Sequence, residues 1–222
     1  MLEIWGRRNS GNAIPVMFAV GELGLNYKRH DVGGSFGGLD TAAYAQLNPN
    51  RKIPTVNDNG RVIWESQTII RYLAREYGSG TLWPEDSYEL AMADQWMEWA
   101  KTTIVPHLTA VFFGLVRFPP EKRDPDAIAA GAVAFGRELQ IVERQLENTS
   151  FLAGDQLTVG DIPLGAYVYR YFNLDIERPS LPNVEAWYAR LRDRPAYQKH
   201  VMIPFGRNPH EWLELEKAGA NA

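Results

Sequence analysis

The sequence predicts an α+β domain followed by an all-helical domain, and three observations carry the prediction. Short strand candidates alternate with helical periodicity only near the start of the chain, Gly78-Ser79-Gly80 and Pro84-Glu85-Asp86 punctuate it, and every later apolar repeat steps by three or four. The expected divisions are residues 1–80, a linker at 81–86 and a helical domain over 87–222. A chain of 222 residues that is 45% hydrophobic has enough apolar content for a real core, in one large domain or two small ones.

Leu2 to Trp5 is the first strand candidate. Ile14, Met17, Val20 and Leu23 then mark a helix that Gly24 stops. Tyr27 to Val32 is a second strand candidate, followed by the glycine-rich segment 33–38 and a short helical stretch through Leu47. Ile53 to Val56 and Arg61 to Trp64 flank Asp58-Asn59-Gly60, and Asn-Gly tolerates the positive φ angles of a two-residue hairpin turn. From Ser66 the pattern is helical, with Ile69, Ile70, Leu73 and Ala74 on one side and Gly78 as the stop. The predicted order is β-α-β-α-β-β-α.

Past the linker, Leu90, Ala93, Met97, Ala100, Ile104, Leu108, Val111 and Leu115 predict one long amphipathic helix bent at Pro106. Asp124-Pro125 has the chemistry of an N-cap and first helical residue, and Ile128, Phe135, Leu139, Val142 and Leu146 form the buried stripe of the helix that follows. Thr158-Val159-Gly160-Asp161 reads as a capping box starting a third helix at Thr158, with a folding role for Asp161. Leu181 to Leu191 is a further helix, ended before Pro195.

Composition narrows the chemistry. A net charge of -4 gives no broad cationic surface, so nucleic acid is not an expected partner. With no cysteine, the protein has no thiol nucleophile or thiolate ligand of its own, so any sulfur chemistry uses a thiol brought from outside. His30, His107, His200 and His210 are scattered with no metal-binding spacing, and no metal is expected. Met1 to Arg8 lacks the apolar core of a leader and the stretch Val111 to Val116 is too short to span lipid, so a cytoplasmic protein with no membrane partner is expected.

Four motifs stand in order along the chain: Ser10-Gly11-Asn12, Leu47-Asn48-Pro49-Asn50-Arg51-Lys52-Ile53-Pro54, Trp64-Glu65-Ser66, and the box from Thr158 to Asp161. With the element order they resemble the cytosolic glutathione transferases over essentially the whole chain, most of all bacterial theta-like or beta-like members with a serine in the first loop. The resemblance implies a thioredoxin-like first domain that binds glutathione as co-substrate with no tightly bound cofactor, a helical domain supplying the acceptor site, and a homodimer. Two departures reshape the rim of the tripeptide site: Arg51 occupies a position usually glycine, and Gln67-Thr68 replaces a more common Asn-Ala.

Each part also has a reading from its own chemistry. Glu65-Ser66 opens a helix whose unpaired amides attract a carboxylate, while the acidic side chain answers an ammonium, so the pair matches the γ-glutamyl zwitterion. The alternative is that Ser66 is an ordinary N-cap and Glu65 a solvated charge. Ile53-Pro54 opens a strand and offers a docking edge for a peptide backbone, with Lys52 beside it for a glycyl carboxylate. Its alternatives are a trans proline at a strand start and a solvated lysine.

Ser10 and Asn12 lie where a hydroxyl, an amide and a helix N-terminus converge, and either can stabilise a thiolate or merely cap the helix. Lowering a thiol from about 8.5 by roughly two units takes about 2.7 kcal/mol of preference for the anion. One hydrogen bond to a charged group supplies roughly 1.5–3 kcal/mol of that. For the acceptor, Phe112, Phe113, Tyr169, Met202 and Phe205 are the candidate apolar lining, and Arg117, with Arg123 behind it, is the candidate receiver of an anionic acceptor such as a halogenated carboxylate. The functional readings are a conjugating or dehalogenating transferase, a non-catalytic glutathione or ligand binder of the same fold, and a glutathione-dependent disulfide reductase or isomerase.

Overall fold

The computed structural model describes residues 1–220; Asn221 and Ala222, the end of the helical domain expected over 87–222, lie outside the described residues. Four strands, β1 (Leu2–Trp5), β2 (Tyr27–His30), β3 (Thr55–Asp58) and β4 (Arg61–Trp64), form one mixed sheet in the order β2-β1-β3-β4. β1 runs parallel to β2 and antiparallel to β3, with Leu2 opposite both Tyr27 and Asp58, and β4 runs antiparallel to β3. Asn59 and Gly60 turn the β3–β4 hairpin at φ 51° and 93°, the positive angles that the Asn-Gly pair anticipates. The strand expected from Ile53 starts at Thr55 instead, because Pro54 has no N–H for a ladder bond. β2 likewise ends at His30 and does not reach Val32.

Helices α1 (Ala13–Glu22), α2 (Ala42–Leu47) and α3 (Ser66–Tyr77) complete this part of the molecule. α3 is amphipathic as expected, burying Ile69, Ile70, Leu73 and Ala74 completely. α1 is buried on all sides from Ala13 to Val20, since it packs on α3 and also on two helices of the later chain.

The later chain is helical. α4 (Ser87–Trp99) and α5 (Val105–Phe112) form one continuous run through a π-helical turn at Ala100–Ile104, and a second π turn at Phe113–Arg117 ends it. The long helix was expected to bend at Pro106. The proline follows a widened turn instead, and Thr102, whose carbonyl its ring would crowd, lies within that turn. The run Ser87–Arg117 is long and apolar enough to cross a membrane, contrary to the expectation drawn from its uninterrupted apolar stretch alone. Its apolar residues serve a protein core, however: Ala93, Met97, Ala100 and Ile104 are fully buried, against α6 (Pro125–Gln145) and α7 (Asp161–Asn173) among others.

Asp124 caps α6 by accepting from the Ala127 amide at 3.0 Å, and Pro125 follows it as expected. α8 (Pro182–Arg192) buries Val184, Trp187 and Leu191. Two helices that the periodicity did not predict close the fold, α9 (Pro195–His200) and α10 (Pro209–Ala218).

α7 begins at Asp161, three residues later than expected, and half of the predicted capping box forms. Asp161 reaches back to the Thr158 amide at 3.0 Å, but Thr158 Oγ1 accepts from Gly160 N at 3.3 Å and not from the Asp161 amide. The Asp161 carboxyl also accepts from Leu152 N and Trp187 Nε1, each at 3.0 Å, and so joins three segments at the start of α7. Complete burial pushes it up to about 6 against these donors, which favour the ionised form.

His200, at the end of α9, packs edge-on against Tyr27 and is 7% exposed. Burial lowers its pKa to about 4, helped by Lys199, Arg8 and Arg29. In the unfolded chain the imidazole titrates near its ordinary value of 6.5. Acidification from there toward 4 therefore protonates the unfolded state first and draws the equilibrium toward it. Urea denaturation between pH 7 and 4 is expected to show a loss of stability that is smaller in His200→Gln than in wild type.

Candidate active site

Two cavities open side by side and share Asn12. The first, about 150 Å³, is lined by Asn12, Asn48, Lys52, Ile53, Pro54, Glu65, Ser66 and Lys101. Its floor is tied down by α2. The Tyr44 hydroxyl donates to the Lys52 carbonyl at 2.7 Å and lies 3.0 Å from Thr55 Oγ1. Asn48 Nδ2 donates to the same two oxygens at 2.8 and 3.0 Å. Between these anchors the Ile53–Pro54 peptide is cis, and the Ile53 amide has no partner among the described residues. Arg51, in the position where glycine was the expected type, sits at φ 52°.

Ser66 is the first residue of α3 and is buried, while Glu65 holds the cap position at φ 72° without capping through its side chain. The alternative reading of Ser66 as an ordinary N-cap therefore does not describe this helix start. A non-glycine residue at such an angle costs roughly 1–3 kcal/mol and persists where its surroundings hold it. Both residues line the cavity, Glu65 exposed and Ser66 buried.

The second cavity, about 240 Å³, is lined by Ser10 and Asn12 from the first loop, by Phe112, Phe113 and Arg117 from the long helical run, and by residues the sequence reading had not singled out, notably Arg7, Arg170 and Trp212. Ser10 does cap α1: its carbonyl accepts from Ile14 N at 2.9 Å and its Oγ lies 3.4 Å from Ala13 N. That contact uses an oxygen lone pair and leaves the hydroxyl proton to donate elsewhere. Asn12 makes no capping bond and is exposed.

Not every acceptor candidate reaches this cavity. Phe205 packs edge-on behind Phe112, with 5.3 Å between ring centroids, and belongs to the core. Tyr169 and Met202 line a separate open groove of about 700 Å³ with Phe172 and Tyr188. Arg123 closes the end of the helical run by donating to the Leu115 and Phe118 carbonyls.

Both π turns supply lining residues, Lys101 to the first cavity and Phe113 and Arg117 to the second. Trp212 arrives on α10, whose start was announced by Asn208-Pro209 with Glu211 three residues on. The Asn208 side chain accepts from Glu211 N at 3.0 Å and donates to its carboxylate at 2.7 Å. Arg170 had no comparable local signal. Among the described residues, no group of His, Asp and Glu side chains suits a metal ion.

Comparison with known proteins follows this geometry. The profile "Glutathione S-transferase, N-terminal domain" matches residues 1–75, and "Glutathione S-transferase, C-terminal domain" matches residues 93–195. Glutathione S-transferase GstB of Escherichia coli K12 is 36% identical over 206 residues, 92% of this chain and 99% of that protein. The chain belongs to the glutathione S-transferase family. The crystal structure of the theta class glutathione S-transferase from Xanthomonas axonopodis pv. citri with glutathione bound superposes with a TM-score of 0.88 at 44% identity, covering 92% of this chain and 99% of that one. The apo form of the same enzyme gives 0.81 at 38% identity, over 92% and 98%. The architecture is accordingly the glutathione transferase fold, a thioredoxin-like α+β domain followed by an all-helical domain.

In this glutathione S-transferase the first loop and α7 meet at Gly11. A Cβ there would lie 2.9 Å from the Arg170 guanidinium, which is itself fixed by a 2.7 Å bond to the Asn9 carbonyl. Gly11→Ala is expected to cost about 1–3 kcal/mol by overpacking. Thermal denaturation of wild type and variant measures the loss.

Proposed function

We propose that the two cavities are the halves of one transferase site, divided between a domain of residues 1–80 and a helical domain from residue 87, with 81–86 as the linker. The first cavity takes glutathione and the second takes a small electrophile. The observation that carries this reading is the convergence of Lys52, Ile53, Pro54, Glu65 and Ser66 on one cavity that shares Asn12 with the cavity holding Ser10.

On this reading Ser66 and the first amides of α3 receive the γ-glutamyl carboxylate, and Glu65 receives its ammonium. The unpaired Ile53 amide pairs with the tripeptide backbone, and Lys52, with Lys101 across the cavity, neutralises the glycyl carboxylate. The thiol then reaches the shared boundary at Asn12. There the Ser10 hydroxyl, the Asn12 amide and the N-terminus of α1 favour the thiolate, which attacks an electrophilic carbon by displacement or addition. Phe112, Phe113 and Arg117 border the acceptor. Glutathione in its thiol form is a species of reducing compartments, which supports a cytoplasmic location. The homodimer implied by the resemblance has a candidate face on the edge strand β4, where Val62 and Trp64 share one exposed side.

Two experiments test the assignment. Ser10→Ala and Asn12→Ala, titrated by thiolate absorbance, are expected to raise the pKa of bound glutathione, the main stabiliser by about one unit, with kcat falling about tenfold or more. Unchanged pKa and turnover in both variants would sink the activation claim. Glu65→Gln is expected to raise KM for glutathione about tenfold while leaving kcat nearly unchanged, the signature of lost uniform binding.

A further inference from the structure

Three guanidinium groups line the acceptor cavity, from Arg7, Arg117 and Arg170, and no carboxylate does. Arg7 is answered from behind, with its Nε 2.7 Å from Glu216 Oε2. Arg117 and Arg170 have no acidic partner within ion-pair distance among the described residues. Arg117 instead lies over the Trp212 ring, 4.5 Å from its centroid, and Arg170 over Phe112 at 4.2 Å. Aromatic faces and one backbone carbonyl hold the two cations in place without neutralising them.

Burying a cation without a counter-anion is costly, and the cost shows in both groups. Burial, with Arg7 adding repulsion, lowers Arg170 to about 10, and burial and Arg7 also lower Arg117, with Glu216 opposing them in part. The Tyr167 hydroxyl and both polar atoms of the Asn9 amide are buried in residues that line this cavity, without a hydrogen-bond partner among the described residues. Two cations without an ion-pair partner among the described residues, with Val105 and Leu108 as the apolar wall, make a receptor for a small anion that also carries a hydrocarbon part.

We infer that the acceptor is a small carboxylate-bearing electrophile, its carboxylate seated between Arg117 and Arg170 and its electrophilic carbon turned toward Ser10 and Asn12. The inference rests on the proposed glutathione site. For a 2-haloacid, the thiolate sulfur forms the carbon–sulfur bond, the carbon–halogen electron pair departs as halide, and the thiol proton has already passed to solvent. No oxidant or reductant is needed, and the product is the S-carboxyalkyl conjugate.

The test compares two ligands that differ only in this feature, S-carboxymethylglutathione and S-carbamoylmethylglutathione, by calorimetric titration of the full chain. The carboxymethyl conjugate is expected to bind about tenfold tighter or more, the worth of a charge-assisted hydrogen bond. Arg117→Gln is expected to remove most of that preference, narrowing the gap between the two conjugates, while leaving the circular dichroism spectrum unchanged. It is the preferred variant because Arg170 also supports the first loop, so its loss could unfold the protein. Equal affinities in wild type, or a full preference surviving in Arg117→Gln, would overturn the anionic acceptor while leaving the glutathione site standing. Failure of both conjugates and of glutathione itself to bind would overturn the glutathione reading and this inference with it.

Discussion

A buried guanidinium ties the first loop to the helical part of the molecule at the point where the chemistry is placed. Arg170 reaches from α7 to the carbonyl of Asn9, across 161 residues of sequence, and the absence of a side chain at Gly11 is what lets it come so close. The position of Arg170 is in turn a consequence of how α7 is held. At the start of that helix Asp161 gathers the Leu152 and Thr158 amides and the Trp187 indole. Along it, Gly165 admits Leu191 and Phe18 to close contact and its carbonyl accepts from the Tyr197 hydroxyl at 2.7 Å. A helix pinned at its start and packed on several sides delivers a cation to a fixed point, which a surface loop with a flexible arginine would not do.

The backbone of the proposed glutathione half shows a related concentration of constraint. Of the three non-glycine residues at positive φ among the described residues, Glu65 lines the first cavity and Arg51 directly precedes Lys52, which also lines it. The third, Asn59, is in a hairpin turn where such an angle is ordinary. Glu65 is held there by what lies on either side, the β3–β4 hairpin before it and the fully buried stripe of α3 after it. The strain is local and the burial that opposes it is extensive, so the angle survives and aims the carboxylate at the cavity rim.

What the sequence made legible follows the range of the forces involved. The β-α-β-α-β-β-α order, the Asp58-Asn59-Gly60 hairpin, the stripe of α3 and the Asp124-Pro125 cap all depend on neighbours within a few residues, and each is where periodicity and turn chemistry put it. Ser10, Asn12, Lys52, Ile53, Pro54, Glu65 and Ser66, whose order along the chain carried the resemblance, line the two adjoining cavities. The acceptor lining was legible only in part: Phe112, Phe113 and Arg117, at the end of the long helical run, do line the second cavity, whereas candidates from the later chain depend on how separate helices pack. Tyr169 and Phe205 were credible by composition, yet the first faces another groove and the second packs behind Phe112. α10 was the avoidable omission, since Asn208, Pro209 and Glu211 spell out its start. Arg170 was not readable at all, because its meaning lies in Asn9, Phe112 and Trp212, which only the folded chain brings to it.

Charge explains why these arginines differ in their partners. A thiolate and an anionic acceptor repel as they approach, by about 4 kcal/mol for unit charges 4 Å apart at an effective dielectric of 20. A site built for a neutral electrophile has no need to oppose that repulsion, and two half-buried or buried cations there would carry a desolvation cost with nothing set against it. Arg7 already has Glu216, whose carboxylate also accepts from the Ser35 amide at 3.1 Å and so couples α10 to the glycine-rich segment. Its charge is used in holding the fold. Neither Arg117 nor Arg170 forms an ion pair among the described residues: Trp212 beneath the first and Phe112 beneath the second satisfy part of the charge without cancelling it, and Glu216 acts on Arg117 only from a distance. Their field is therefore left for the cavity, where it lowers the barrier that two anions would otherwise meet.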